Sequence, residues 1–225
     1  GKEYLILPEA KDYKRIGDGD TGLNTGGMGA VSPVPFAGEE FMRKVEERII
    51  KPTIQGLVRD KINYKGFIFI GLMNCEGDPY VVEYNVRMGD PETEAVLPRI
   101  KSDFLSHLVA AAQGKLSGEK IVTDSRVAMT IVAVSGGYPE DYKKGYLIKG
   151  LEKFEQDNDI LLFHSGTKVS DGHVVTSGGR VLALTTLAPD IHKCRQILYK
   201  EIEKISFNDI YFRKDIGLDL MRYSK

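Results

Sequence analysis

The sequence predicts an α+β protein: an antiparallel sheet with covering helices, followed by a small antiparallel β-barrel or sandwich carrying one helix. Three observations predict it. Two apolar runs, 66–73 and 80–86, flank the turn cluster Asn74-Cys75-Glu76-Gly77-Asp78-Pro79, the pattern of a β-hairpin. Segments beginning near Ala37 and Asp103 repeat apolar residues at helical spacing. The second half holds four short apolar runs divided by glycine-containing turns, then a single amphipathic stretch.

The first element after a glycine-rich segment is a helix from Ala37, with Phe41, Val45 and Ile49 on one stripe. Pro52 restarts or kinks it ahead of Ile54, Leu57 and Val58, because proline has no N–H for the helix ladder. The hairpin follows, and the near-continuous apolar character of its first strand predicts that both of its faces are covered. Its exit, Gly89-Asp90-Pro91-Glu92-Thr93-Glu94, reads as a helix start with Asp90 as N-cap, Pro91 at the first position and acids in the first turn. A helix over 103–112 ends at Gly114, and polar residues fill 115–125. The domain boundary is therefore placed there, giving 1–119 and 120–225. Strands are predicted at 127–134, 160–164, 173–176 and 180–185, and a helix from Pro189 carries Ile191, Cys194, Ile197, Leu198, Ile202 and Ile205.

Composition narrows the function. With 31 basic and 32 acidic residues among 225, the net charge of -1 marks no nucleic-acid or membrane surface. Small-molecule partners fit better. Cys75 and Cys194 are the only cysteines and have no CxxC spacing, so neither a metal knuckle nor a disulfide framework is indicated. There is no signal-peptide pattern and no apolar run near 18 residues, which predicts a cytoplasmic protein. None of the four histidines stands at metal-ligand spacing from another, and each reads as structural or solvent-facing. No internal repeat is present.

The chemistry concentrates in Val82-Glu83-Tyr84-Asn85-Val86-Arg87. Strand side chains alternate, so Glu83, Asn85 and Arg87 are predicted to share one face. Magnesium takes hard oxygen ligands and keeps several waters, so one carboxylate and one amide oxygen suffice when substrate phosphates supply the rest. Arg87 adds a planar cation suited to a phosphoryl or carboxylate oxygen. The plain alternative is a half-exposed strand whose polar face happens to read E-x-N-x-R.

A second polar constellation spans 12–30. Its glycines admit close approach of a ligand to backbone N–H groups, with Lys14 and Arg15 supplying cations beside it. It is neither a P-loop nor a dinucleotide fingerprint, since both spacing and context are wrong. A long loop without secondary structure in a compact domain tends to be functional. Asp90 and Glu92, as acids near a helix start, suit an amine or a sugar hydroxyl. Arg180 follows two glycines and reads either as a turn residue or as a side chain pointing back toward the cleft.

The runs Lys11-Asp12-Tyr13-Lys14-Arg15, Asn24-Thr25-Gly26-Gly27-Met28-Gly29-Ala30 and Arg87-Met88-Gly89-Asp90-Pro91-Glu92-Thr93-Glu94 together resemble the phosphoribosylamine-glycine ligases, also called glycinamide ribonucleotide synthetases. The likeness extends to Ser135-Gly136-Gly137-Tyr138-Pro139 and Ser177-Gly178-Gly179-Arg180-Val181-Leu182. It implies the C-terminal part of an ATP-grasp core and the small β-rich domain after it. It implies ATP-dependent joining of glycine to 5-phosphoribosylamine through a glycyl phosphate, in de novo purine biosynthesis, by a monomer using Mg2+ or Mn2+. Glu83 and Asn85 match the family's metal pair, and Arg87 would steady the transferring phosphoryl group. Asp12, Gly26, Gly27, Met28, Gly29, Asp90, Pro91 and Glu92 would enclose glycine or the phosphoribosyl substrate. Relatives begin with an α/β domain and an ATP-binding lid, whereas residues 1–8 here read as a strand of the core. The expectation is that this chain alone turns over little. Two alternatives stay open, another ATP-grasp carboxylate-amine ligase and a noncatalytic binding module.

Overall fold

The computed structural model describes residues 2–154 and 159–223. In chain order the elements are β1 (Lys11–Asp12), β2 (Arg15–Gly17), β3 (Thr21–Asn24), β4 (Gly29–Ser32), α1 (Glu39–Val45), α2 (Lys51–Arg59), β5 (Phe69–Cys75), β6 (Asp78–Asn85), α3 (Glu92–Val96), α4 (Phe104–Gln113), β7 (Val127–Val134), β8 (Ile160–His164), β9 (Thr167–Ser170), β10 (His173–Thr176), β11 (Arg180–Ala188) and α5 (Ile191–Ile202). They form two compact units interleaved along the chain. The first is 1–9, 34–89 and 100–124, and the second is 10–33, 90–99 and 125–225. The last crossing falls just beyond the linear division expected at 119, but two segments from the front of the chain belong to the second unit.

In the first unit, α1 runs through a π turn, Glu46–Ile50, into α2. Pro52 lies in the first turn of α2, and the Thr53 hydroxyl donates to Ile49 O at 2.7 Å, so the proline marks the predicted restart. Val45 and Ile49 are buried, as the apolar stripe requires. Hairpin strands β5 and β6 pair antiparallel, with Phe69 opposite Asn85 and Gly71 opposite Glu83. The register shifts between Gly71 and Leu72, leaving Val82 as the extra residue of a bulge just before Glu83. Tyr84 meets Thr53 of α2 hydroxyl to hydroxyl at 3.0 Å, so the Tyr84 face is turned toward the helices. Asp103 caps α4 through the amides of Leu105 and Ser106, and left-handed Gly114 closes it.

Two expectations fail here. The hairpin is a two-stranded sheet, and Met73, Tyr80, Val82, Tyr84 and Val86 are all exposed, so its faces are not both covered. Residues 2–10 carry no strand, because the pairing edge they would need is not supplied and the first ladder begins at Lys11.

The second unit is built on a five-stranded sheet ordered β1-β4-β7-β11-β8, every neighbouring pair antiparallel. Residues from Ala128 through Val134 are buried one after another, which requires cover on both faces. Ala95 of α3 packs with Ala30 and Ala128, and α5 buries Ile191, Cys194, Leu198 and Ile202. Strands β9 and β10 form a separate ribbon. The α+β antiparallel character predicted from the sequence is the one observed. The segment 12–30 is not a structureless loop, however: β2 and β3 pair as a small hairpin within it, and β4 begins at Gly29.

That small hairpin is pinned by Arg213, which is 1% exposed. Its guanidinium donates to both carboxylate oxygens of Asp215 at 2.8 and 2.7 Å, to Asp20 at 2.8 Å and to Arg15 O at 3.0 Å, and lies 5.3 Å from the Tyr13 ring centre. The Tyr13 hydroxyl in turn donates to Asp219 at 2.7 Å. The C-terminal segment thereby anchors the start of the glycine-rich stretch.

Candidate functional site

Each unit carries its own constellation. In the first, Asn85 Nδ2 donates to Glu83 Oε1 at 3.0 Å, so the two side chains project to the same side of β6, as alternation predicts. Glu83 is exposed and Asn85 half-buried. Gly71, the cross-strand partner of Glu83, leaves room that a side chain would fill, since a Cβ there would stand 3.0 Å from Glu83 Cγ. The second Glu83 oxygen and Asn85 Oδ1 have no protein donor among the described residues.

Arg87 lies past the end of β6, contrary to the expectation that it sits on the strand. The ladder ends at the Phe69–Asn85 pair, and beyond it Arg87 Nη1 bonds to Met88 O at 3.0 Å. Its guanidinium nevertheless lies 5.9 Å from the Phe69 ring centre. Phe69 pairs with Asn85 and shares its face, so Arg87 reaches the predicted face from a bend rather than from the ladder.

Hard oxygen donors on a solvated face suit a divalent ion that keeps water and substrate oxygens in its shell. Among the described residues no group of three or more His, Cys, Asp or Glu is placed to hold a metal. A carboxylate–amide pair is thus the available donor set, and Glu83 with Asn85 fits a Mg2+-like ion.

In the second unit, the site forms around Gly26 and Gly27. A Cβ on Gly27, whose φ is +122°, would fall 2.2 Å from Pro91 Cδ and 3.0 Å from Asp12 Oδ1, so the loop is pressed between these residues. The backbone amides expected to cradle an anion are already spent. Thr25 N donates to Lys14 O, Gly26 N to the Tyr138 hydroxyl, Gly27 N to the Thr25 hydroxyl and Met28 N to Tyr13 O. Met28 is fully buried with Val132, Val134 and Ala183. Gly29 is small because β7 is close, a Cβ there falling 2.7 Å from Thr130 O. These two residues hold the loop from behind.

Arg180 is no turn residue. It opens β11 and grips Asp90 with two bonds, 2.7 and 2.8 Å, while donating to Gly26 O at 3.0 Å. Asp90 consequently does not cap α3, where the N-cap position is Pro91 and no side chain accepts.

What remains around the loop is acid. Glu92 is 6% exposed, and Glu92 Oε2, Asp12 Oδ1 and Glu94 Oε2 are buried without a hydrogen-bond partner. Burial and then the neighbouring Asp12 charge push the Glu92 carboxyl up to about 7. Burial also raises Asp12, against the pull of Lys14, whose ammonium pairs with it. Glu94 is raised by burial as well. Of these neighbours, Glu94 and Tyr138 were not legible as site residues, whereas Arg180 takes the cleft-facing alternative rather than the turn reading. Glu94 sits two positions from Glu92, off its helical face, and Tyr138 arrives from a distant turn.

Two family models match the chain. The ATP-grasp (A) domain of phosphoribosylglycinamide synthetase covers residues 1–93, and the C domain of the same enzyme covers 128–219. The chain belongs to the phosphoribosylglycinamide synthetase family. It is 44% identical over 217 residues to phosphoribosylamine–glycine ligase of Caldanaerobacter subterraneus, a match spanning 96% of this chain and 51% of that one. It is 41% identical to the Yersinia pestis ligase, with the same coverage. The crystal structure of phosphoribosylamine–glycine ligase from Thermotoga maritima superposes with a TM-score of 0.85 at 35% identity, covering 96% of this chain and 52% of that one. The biotin carboxylase domain of a thermophilic 2-oxoglutarate carboxylase shares the fold, with a TM-score of 0.60 at 15% identity over 97% of this chain and 46% of that one. The chain thus spans about half the length of the ligases it matches. Its compact units cut across both family models, since the second unit takes 10–33 from one and most of its sheet from the other.

Proposed function

We propose that this chain forms part of a phosphoribosylamine–glycine ligase of de novo purine biosynthesis, a cytoplasmic monomer that joins glycine to 5-phosphoribosylamine at the expense of ATP. The observation that carries the reading is the Glu83–Asn85 pair, hydrogen-bonded on one face at the end of a hairpin, in a chain of this family. The division near residue 119 belongs to the same reading, as the seam between the family's two modules. A noncatalytic module has no need of a solvated carboxylate–amide pair opposite a glycine.

Glu83 and Asn85 would hold Mg2+ or Mn2+, which when bound neutralises phosphate charge. Arg87 places a guanidinium over the same face, to steady the phosphoryl group passing to the glycine carboxylate. Asp12, Asp90, Pro91 and Glu92, with the backbone at Gly26 and Gly27, enclose the amino substrate. Met28 and Gly29 fix that loop against the sheet. Because the loop amides are spent and the nearby oxygens are acidic, this end of the machinery suits an amine and repels a phosphate.

The test is ADP formation from ATP, glycine and 5-phosphoribosylamine by the polypeptide that contains this chain, with E83Q as the variant. The expected loss is about 10²-fold or more in kcat, with the fold unchanged. A near wild-type rate in E83Q would remove the metal pair from the proposal.

A further inference from the structure

We infer that Gly71 is a positioning residue for the metal pair: it leaves open the space across the ladder in which the Glu83 side chain lies, and so aims that carboxylate beside Asn85. The inference rests on the ligase reading above and deepens it, by giving a residue with no side chain of its own a part in placing one ligand.

Four observations, all within the first unit, support it. Glycine weakens a strand, since it gives up the most backbone freedom and has nothing to pack, so its presence in β5 calls for a reason. Backbone conformation is not that reason, because the φ of Gly71 lies outside the left-handed region. Crowding by Glu83 is. A Cβ at position 71 would stand 3.0 Å from Glu83 Cγ, 3.7 Å from Glu83 O and 3.8 Å from Glu83 N, and these are the nearest atoms it would meet. Opposed Cβ atoms in a ladder are ordinarily about 4.5–5.5 Å apart, so the Glu83 stem leans across onto β5, into the space a side chain would take.

The neighbouring pair shows that the face itself tolerates bulk. Phe69, two residues earlier and on the same face, stands opposite Asn85 with a full aromatic ring, whereas the position opposite the carboxylate is bare. Last, the ladder shifts register between Gly71 and Leu72, and the bulge at Val82 bends β6 immediately before Glu83. Bulge and glycine act on the same residue, one from its own strand and one from the partner strand: the first sets where the Glu83 backbone sits, the second where its stem can lie. The outcome is the 3.0 Å bond from Asn85 Nδ2 to Glu83 Oε1, which holds carboxylate and amide together. A methyl group at position 71 would drive the Glu83 stem off β5 and part the pair. Changing a residue that orients a ligand without binding the ion costs about 10–100-fold in metal affinity.

The experiment uses the polypeptide containing this chain and measures Mn2+ binding directly, from the loss of the free-ion electron paramagnetic resonance signal in the presence of ADP, where no turnover occurs. G71A is expected to weaken Mn2+ binding about 10-fold, and E83Q by at least as much. The double variant G71A/E83Q should hold the ion no more weakly than E83Q alone, because the glycine acts through the carboxylate. Urea midpoints of wild type and G71A should agree or favour G71A, since alanine suits a strand better than glycine. Mn2+ binding by G71A at wild-type strength would overturn the inference, as would an equal further loss on adding G71A to E83Q. A G71A protein that fails to fold, or whose urea midpoint drops by the same amount with and without E83Q, would overturn it too, by assigning the glycine to the strand alone. If E83Q itself binds Mn2+ as wild type does, the metal pair fails and this inference with it, so the two failures are distinguishable.

Discussion

The hairpin of the first unit and the acidic surroundings of the loop in the second present carboxylates in opposite ways. Glu83 stands exposed with an amide neighbour, whereas Glu92 is buried near the Asp12 charge with an oxygen left unpaired. An exposed carboxylate is hydrated, which suits a cation that keeps its own water. A sealed one resists ionisation, which suits proton transfer. The difference teaches that the same functional group is assigned its task by surroundings rather than by type. It also predicts where substitutions will be felt: in the second unit they should disturb the fold, and at the hairpin face they should disturb only chemistry.

The largest effect should come from Arg213→Met. Removing this buried guanidinium leaves Asp20 and Asp215 without their partner and frees the β2–β3 hairpin, at a cost of about 3–5 kcal/mol, measurable by urea unfolding. Asp215 is held down to about 2, with burial opposing and Arg213 and the Gly19 amide lowering it. Its contribution is therefore present above the ordinary carboxylate range and lost as pH falls through about 2, a dependence that should vanish in the same variant.

Gly27→Ala comes next, at about 2–4 kcal/mol, because the φ of +122° is strained for any side chain and the new methyl collides with Pro91. Thermal melts at a single pH suffice to check it. Glu92→Gln should act in the other direction. Its carboxyl is raised from 4.5 to about 7, so the folded state holds a proton that the unfolded state has lost between those values. Wild-type stability from this group is complete below about 4.5 and declines as pH climbs through 7. The glutamine variant should lack that decline and gain about 1–3 kcal/mol over wild type at pH 8. The smallest change belongs to the hairpin: Glu83→Gln should alter stability by no more than about 0.5 kcal/mol. A larger shift would mean that Glu83 supports the fold, and the contrast between the two units would collapse.

Much of this was legible in the sequence, and the legible part shares a physical cause. The hairpin, α4 with its Asp103 cap and Gly114 stop, β7, β11 and α5 all follow from local periodicity and turn chemistry. So does the Glu83–Asn85 alignment, which needs only strand alternation. What escaped depends on residues far apart in the chain. Nothing near Arg180 announces Asp90, ninety positions away, and nothing near β4 announces that β7 will be its neighbour. The unpaired Glu92 oxygen is equally hidden, because burial at a helix start is decided by what packs above it. The strand expected at the N-terminus and the covered hairpin failed for a related reason: an apolar run states a preference for cover and does not supply it.

The weaving of early strands into the later sheet has a practical corollary. A protease cut in the polar segment 115–125 would sever every covalent tie between β4 and β7, yet Gly29 through Ser32 would stay laddered to Ala128 through Ile131. Two bands on a denaturing gel should then travel as one particle through a sizing column, and the halves, made separately, should seek each other out.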